Sequence, residues 1–129
     1  MIRTRIGIAV VESDGRFLVG RRSADIPLPG MAEFPGGKCN NDETPRSCAV
    51  RECQEETGLI VMPHEQLATI PWSYPHGEIE LHFWKCGLAP GLTPQSPPAA
   101  PFRWVARQEL ATLEFPPANR EILDRLLAE

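Results

Sequence analysis

No apolar run in this 129-residue chain approaches the roughly 20 residues needed to span a bilayer. The opening Met-Ile-Arg-Thr-Arg also lacks the apolar stretch of a secretory signal. A cytoplasmic protein with no membrane partner is therefore expected. Positive charge is short as well: thirteen Lys and Arg against seventeen Asp and Glu leave a formal charge of -4. That argues against a nucleic-acid polymer as the main ligand, because such affinity is built from clustered cations. A small nucleotide, whose charge a metal ion can neutralise, stays open. Cysteine is scarce, and Cys39, Cys48, Cys53 and Cys86 form no Cys-x-x-Cys pair and no zinc-ligand spacing with His64, His76 and His82. All four are expected to be reduced packing thiols. The length and the ordinary 42% hydrophobic and 23% charged content fit a single domain over residues 1–129 rather than a disordered or fibrous chain.

Proline is in excess, with fourteen residues, and five of them fall in the uncharged Gly87–Pro101 segment. That segment reads as a long functional loop or local insertion, since such a stretch forms neither helix nor central strand. Ile6–Val11 is apolar and β-branched, a buried strand. The Ser13-Asp14-Gly15 turn then leads into a second strand over Arg16–Arg21, making a hairpin. Arg22–Glu33 reads as a loop that ends in Phe34-Pro35-Gly36-Gly37, where two glycines are free to take positive φ. Gln66–Ser73, Glu78–Cys86 and Arg103–Val105 read as further strands. Asn119–Leu127 carries Ile122, Leu123, Leu126 and Leu127 on one face and reads as a C-terminal helix. The order of elements predicts an α+β domain with a mixed sheet.

The clearest helix spans Thr44–Thr57, with Thr44 as N-cap, Pro45 in the first helical position and Gly58 closing the last turn. Taking Glu52 as reference, Glu55 lies about 60° to one side and Glu56 about 40° to the other. Val50 and Cys53 point elsewhere and can dock the helix on the sheet. Three carboxylates roughly 6 Å apart repel by about 1–3 kcal/mol per pair at an effective dielectric of 20. They also sit toward the helix C-terminus, where the macrodipole disfavours anions. A solvated acidic face is one reading; a divalent cation such as Mg²⁺, which prefers oxygen ligands, is the other.

The stretch GKCNNDETPRSCAVRECQEETGL places Gly37, Glu43, Arg51, Glu52, Glu55, Glu56 and Gly58 at the spacing G-x5-E-x7-R-E-U-x-E-E-x-G-U, where U is apolar. This resembles the Nudix box, with Cys53 at one apolar place and Leu59 at the other. RRSAD from Arg21, EFPGGK from Glu33 and FPPANR from Phe115 are similar to the MutT branch, the mutator-type nucleoside triphosphate pyrophosphohydrolases. The resemblance implies a Nudix-type α/β/α sandwich whose box forms loop, helix and loop on a mixed sheet.

It also implies roles. Glu52, Glu55 and Glu56 would be catalytic and, with the Gly37 carbonyl, would hold Mg²⁺, with Mn²⁺ as a substitute. Arg51 points away from the metal face and pairs with Glu43 to brace the loop, although a surface ion pair is the plain alternative. Lys38 is a candidate for phosphate oxygens or an ordinary exposed lysine. Arg22 matches a nucleotide-contacting position. Asn119, whose amide offers a donor and an acceptor, suits the O6 and N7-H of an oxidised guanine, and it also reads as the N-cap of the last helix. Phe34 and Tyr74 line the base pocket or belong to the core; Trp72 and Trp84 are assigned to packing.

One position departs from the family pattern: no Asp or Glu occurs between Glu80 and Glu109, where MutT-like enzymes usually supply another carboxylate. Water or a helix carboxylate is left as general base. The expected activity is Mg²⁺-dependent hydrolysis of a nucleoside triphosphate to a monophosphate and pyrophosphate, clearing 8-oxo-dGTP from the precursor pool in the service of DNA repair. A cytidine or methylated nucleotide is the alternative substrate, and a nucleotide-binding regulator without turnover the alternative class. A monomer or homodimer is expected.

Overall fold

The computed structural model describes residues 3–75, 77–92 and 97–129. Its elements are β1 (Thr4–Ser13), β2 (Arg16–Arg21), β3 (Ala32–Glu33), β4 (Gly36–Lys38), α1 (Pro45–Thr57), β5 (Val61–Tyr74), β6 (Gly77–Leu88), β7 (Arg103–Ala106) and α2 (Arg120–Leu127). Short 3₁₀ turns cover Arg107–Ala111 and Pro117–Asn119. The strands run β3-β2-β1-β6-β5, with β4 also on β1 and β7 also on β2. β1 and β6 are parallel, aligning Gly7 with His82 and Ala9 with Trp84, and the other pairs are antiparallel. This is the mixed sheet of an α+β sandwich.

The unbroken apolar run of β1 has a simple cause: helices cover both of its faces. Ala9 and Val11 pack with Leu18, Ala49 and Cys53 under α1. Ile8 and Val10 pack with Phe17, Phe83, Ile122 and Leu126 under α2. A Cβ on Gly7 would meet the Pro45 carbonyl oxygen at 2.7 Å and the Ala49 nitrogen at 2.8 Å, so its absence lets α1 press directly onto the strand. The β1–β2 hairpin turns through Asp14 and Gly15 at φ 51° and 76°, the left-handed pair that matches the strand twist.

Several expectations are corrected. Arg22–Glu33 is not all loop, because Ala32–Glu33 pairs with β2 through Gly20 and Arg21. Gly36 and Gly37 are strand residues of β4 rather than a positive-φ turn. β5 begins at Val61, before Gln66, and tolerates Pro63 because it lies at the sheet edge and is irregular between Pro63 and Glu65. β6 continues to Leu88, taking the first residues of the proline-rich segment; residues 93–96 of that segment and His76 lie outside the described residues. The four cysteines are free, and Cys48, Cys53 and Cys86 are buried.

Candidate active site

The loop and helix from Gly36 to Gly58 are built by local chemistry. The Thr44 hydroxyl accepts the Ser47 N–H at 3.1 Å, Pro45 opens the helix, and Gly58 at φ 80° donates to the Gln54 carbonyl. Arg51 then ties helix to loop. Its Nε and Nη2 donate to the two oxygens of Glu43 at 2.6 and 2.8 Å, and Nη2 also donates to the Lys38 carbonyl at 3.1 Å. Glu43 additionally accepts the Asn40 N–H at 3.0 Å. The hydrogen bonds from Arg51, then from Asn40, draw the Glu43 carboxyl down to about 2. Such a fork of charge-assisted bonds exceeds an ordinary surface pair.

Arg51 does not point away from the acidic face as expected. Its Nη1 reaches Glu52 at 3.2 Å and Glu55 at 3.1 Å. The one guanidinium that braces the loop therefore also orients two of the three carboxylates, a consequence of Glu55 standing four residues after Arg51.

The three carboxylates occupy different settings. Glu55 is exposed, and Glu52 lies against Gly37, where a Cβ would stand 2.6 Å from each of its carboxylate oxygens. The need for glycine at position 37 is thus close approach to Glu52, not backbone handedness. Glu56 turns inward and accepts the Gly36 N–H at 2.9 Å. Burial pushes its carboxyl up to about 7 against that hydrogen bond, and the neighbouring charges of Glu33, Glu52 and Glu55 push the same way.

A cleft of about 610 Å³ opens beside this face. Arg22, Phe34, Gly37, Lys38, Glu56, Tyr74 and Asn119, seven of the residues singled out in the sequence, line it. Glu43, Arg51, Glu52 and Glu55 are not in its wall. Phe34 is both things the sequence offered, since it is buried in the core with its ring 5.0 Å from Phe115 while it also borders the cleft. Asn119 does not cap α2: its backbone is helical, it makes no capping bond, and its Nδ2 donates to the Pro116 carbonyl at 3.3 Å. Among the described residues no hydrogen bond engages its second N–H or its amide oxygen, and the residue lines the cleft. Trp72 and Trp84 pack against the two cores, as expected.

Glu33 is the residue that sequence reasoning missed. It lies in the cleft wall, pairs with Arg22 at 3.5 Å, and has its carboxyl raised by burial, with the Arg22 charge opposing. Its place at the head of the EFPGGK stretch, beside Phe34, was the signal available.

The donor set suits a hard divalent cation, being carboxylate and carbonyl oxygen with no thiolate or imidazole. The unbalanced charge around Glu56 suits it too. Among the described residues, no three His, Cys, Asp or Glu side chains are gathered into a ready-made cation cage, since Arg51 holds Glu52 and Glu55 while Gly36 holds Glu56.

Residues 7–125 match the NUDIX domain. The chain is 30% identical over 127 residues to the 8-oxo-dGTP diphosphatase of Escherichia coli, covering 98% of each. It is 31% identical to the CTP pyrophosphohydrolase of the same organism, covering 93% of this chain and 88% of that one. The solution structure of the E. coli ORF135 protein superposes with a TM-score of 0.80 at 28% identity, covering 99% of this chain and 91% of that one.

Proposed function

This chain belongs to the Nudix hydrolase family, and from that premise we propose that it is a Mg²⁺-dependent pyrophosphohydrolase that converts 8-oxo-dGTP and water to the monophosphate and pyrophosphate. The observation that carries the proposal is one cleft in which the Nudix loop and helix, through Gly37, Lys38 and Glu56, meet Arg22, Phe34 and Asn119 from distant parts of the sequence. Triphosphate and base are thereby offered separate sets of partners.

Mg²⁺ bound by Glu52, Glu55, Glu56 and the Gly37 carbonyl would neutralise phosphate charge and make the attacking water more acidic. Around it the chain's own groups have defined tasks. Arg51 fixes Glu52 and Glu55 from behind and holds the loop shut on Glu43. The Gly36 N–H fixes one oxygen of Glu56. Lys38 and Arg22 bring positive charge to the substrate's phosphates and sugar. The Asn119 amide accepts from N7-H and donates to O6, a pairing open to an oxidised guanine and not to guanine, whose N7 is itself an acceptor.

Cytidine triphosphate is the second reading, favoured by the 31% identity to a CTP pyrophosphohydrolase. Pyrophosphate release across a panel of nucleoside triphosphates, with Mg²⁺ or Mn²⁺, tests both. The proposal requires kcat/KM for 8-oxo-dGTP to exceed that for dGTP and CTP by at least about 10-fold. Equal values for 8-oxo-dGTP and dGTP exclude selective sanitising, and preference for CTP installs the second reading.

A further inference from the structure

We propose that Cys39 and Cys48 are a covalent modification site, a thiol pair that low-molecular-weight disulfides convert to an intramolecular bridge across the Nudix loop. The bridge would fasten the same loop that the Glu43–Arg51 ion pair braces in the reduced chain.

Strand and helix bring the two residues together in step. The Cys39 N–H donates to the Arg5 carbonyl at 2.9 Å, so the ladder between β4 and β1 continues one residue past Lys38. Gly37 and Cys39, two positions apart on extended chain, therefore share a face. That face looks at α1, because a Cβ on Gly37 would stand 2.6 Å from each Glu52 carboxylate oxygen. Cys48 stands four residues before Glu52, one turn earlier on the same side of the helix. The short connection from Cys39 to Thr44 reverses the chain. The step of about 6.6 Å along the strand from Gly37 to Cys39 then matches the step of about 6 Å back along the helix from Glu52 to Cys48. Cys48 is also placed directly, since its thiol donates to the Gly37 carbonyl at 3.3 Å. Burial, and after it the neighbouring Cys39 thiol, hold the Cys48 thiol up at about 12.

Access separates this pair from the other two cysteines. Cys39 is half-buried and Cys48 buried, whereas Cys53 and Cys86 are both enclosed in the core under α1, at 0% and 1% exposure. Cys39 is thus the thiol that an incoming disulfide meets, and Cys48 the one that resolves the mixed disulfide. With glutathione disulfide as oxidant the balance closes. Its S–S bond and both protein S–H bonds break, one protein S–S bond forms, and the two hydrogens leave on two glutathione thiols. The cysteines lose two electrons and glutathione disulfide gains them. The ring so closed runs from Cys39 to Cys48 and contains Glu43. Closing it restricts the unfolded chain, which is how such a bridge stabilises the folded one.

The test incubates the full chain with glutathione disulfide or with dithiothreitol, denatures it, and counts free thiols by mass after N-ethylmaleimide. The reduced chain holds four free cysteines; the oxidised one should label at two, with a peptide map joining Cys39 to Cys48. Melting temperature should rise by about 5 °C on oxidation and return with dithiothreitol. Glu43→Gln, which removes the ionic brace, should lower the melting temperature about twofold less in the oxidised chain than in the reduced one. Cys39→Ser should show neither the labelling change nor the shift. Four labelled thiols after oxidation overturn the inference. So do a bond between two chains, a glutathione left on Cys39 with no bridge, or a bridge that joins Cys53 to Cys86. A bridge from Cys39 to Cys48 that leaves the melting temperatures unmoved overturns its role as a brace. No readout involves a nucleotide, so failure of the 8-oxo-dGTP reading leaves the bridge standing.

Discussion

The two ends of the cleft are made in opposite ways. The end we assign to phosphate comes from the single segment Gly36–Gly58, whose loop, cap, guanidinium clamp and carboxylates all lie within 23 residues. The opposite wall, where we place the base, is assembled from Arg22, Glu33, Phe34, Tyr74 and Asn119, which only the fold brings together. A local site can be carried intact as a motif, whereas a distributed one varies residue by residue. On the proposed assignment the chemistry can stay constant while the substrate changes, and the relatives are named for 8-oxo-dGTP and for CTP.

The contrast is broken most sharply at the phosphate end. Glu55→Gln should lower kcat about 10²–10³-fold for every nucleotide, with the melting temperature unchanged. A variant of full activity would take that carboxylate out of the chemistry. Gly37→Ala comes next, at about 10²-fold in kcat, because its Cβ would force the Glu52 carboxylate aside. Its loss should again be the same for all bases, and a base-dependent loss would blur the two ends. At the other end, Asn119→Ala should lower the preference for 8-oxo-dGTP over dGTP about 10-fold while hydrolysis of dGTP changes little. Equal loss for both removes Asn119 from base reading.

Smaller effects within the Gly36–Gly58 segment are read as stability. Arg51→Ala should cost about 2 kcal/mol in chemical denaturation, from losing charge-assisted bonds to Glu43. The pH dependence has a defined sign. Glu56 titrates near 4.5 in an unfolded chain and near 7 in the folded one, so between those values the folded chain holds more protons. Metal-free stability should therefore be fullest below about pH 4.5 and fall as pH rises toward 7, and Glu56→Gln should flatten that slope. Glu43 acts oppositely: its contribution is present above about 4.5 and lost as pH falls toward 2. Melting temperatures across pH without divalent cations check both.

What was legible in the sequence follows the same division. The helix from Pro45 to Thr57 was readable to the residue, because Thr44, Pro45 and Gly58 each have a local reason to stand where they do. β2 was equally clear. Glu33 and the two-residue β3 were not, since neither is stabilised by its neighbours in sequence; their partners are Gly20, Arg21, Glu114 and Phe115. The positive-φ reason given for Gly37 was wrong, because the atoms that exclude a side chain there belong to Glu52, fifteen positions on. Asn119 looked like a cap by residue type, yet the preceding 3₁₀ turn gives it helical backbone and spares its amide.

The fastening of β3 to Glu114 and Phe115 bears on the order in which the molecule is born. About 60 residues separate Gly58 from Asn119, which at roughly 5–20 residues per second is some 3–12 seconds of ribosome time. During that interval a nascent chain already holds its Nudix segment, but β3 has not yet met Glu114 and Phe115. On the proposed assignment, discernment between bases would come later in synthesis than the capacity to hydrolyse.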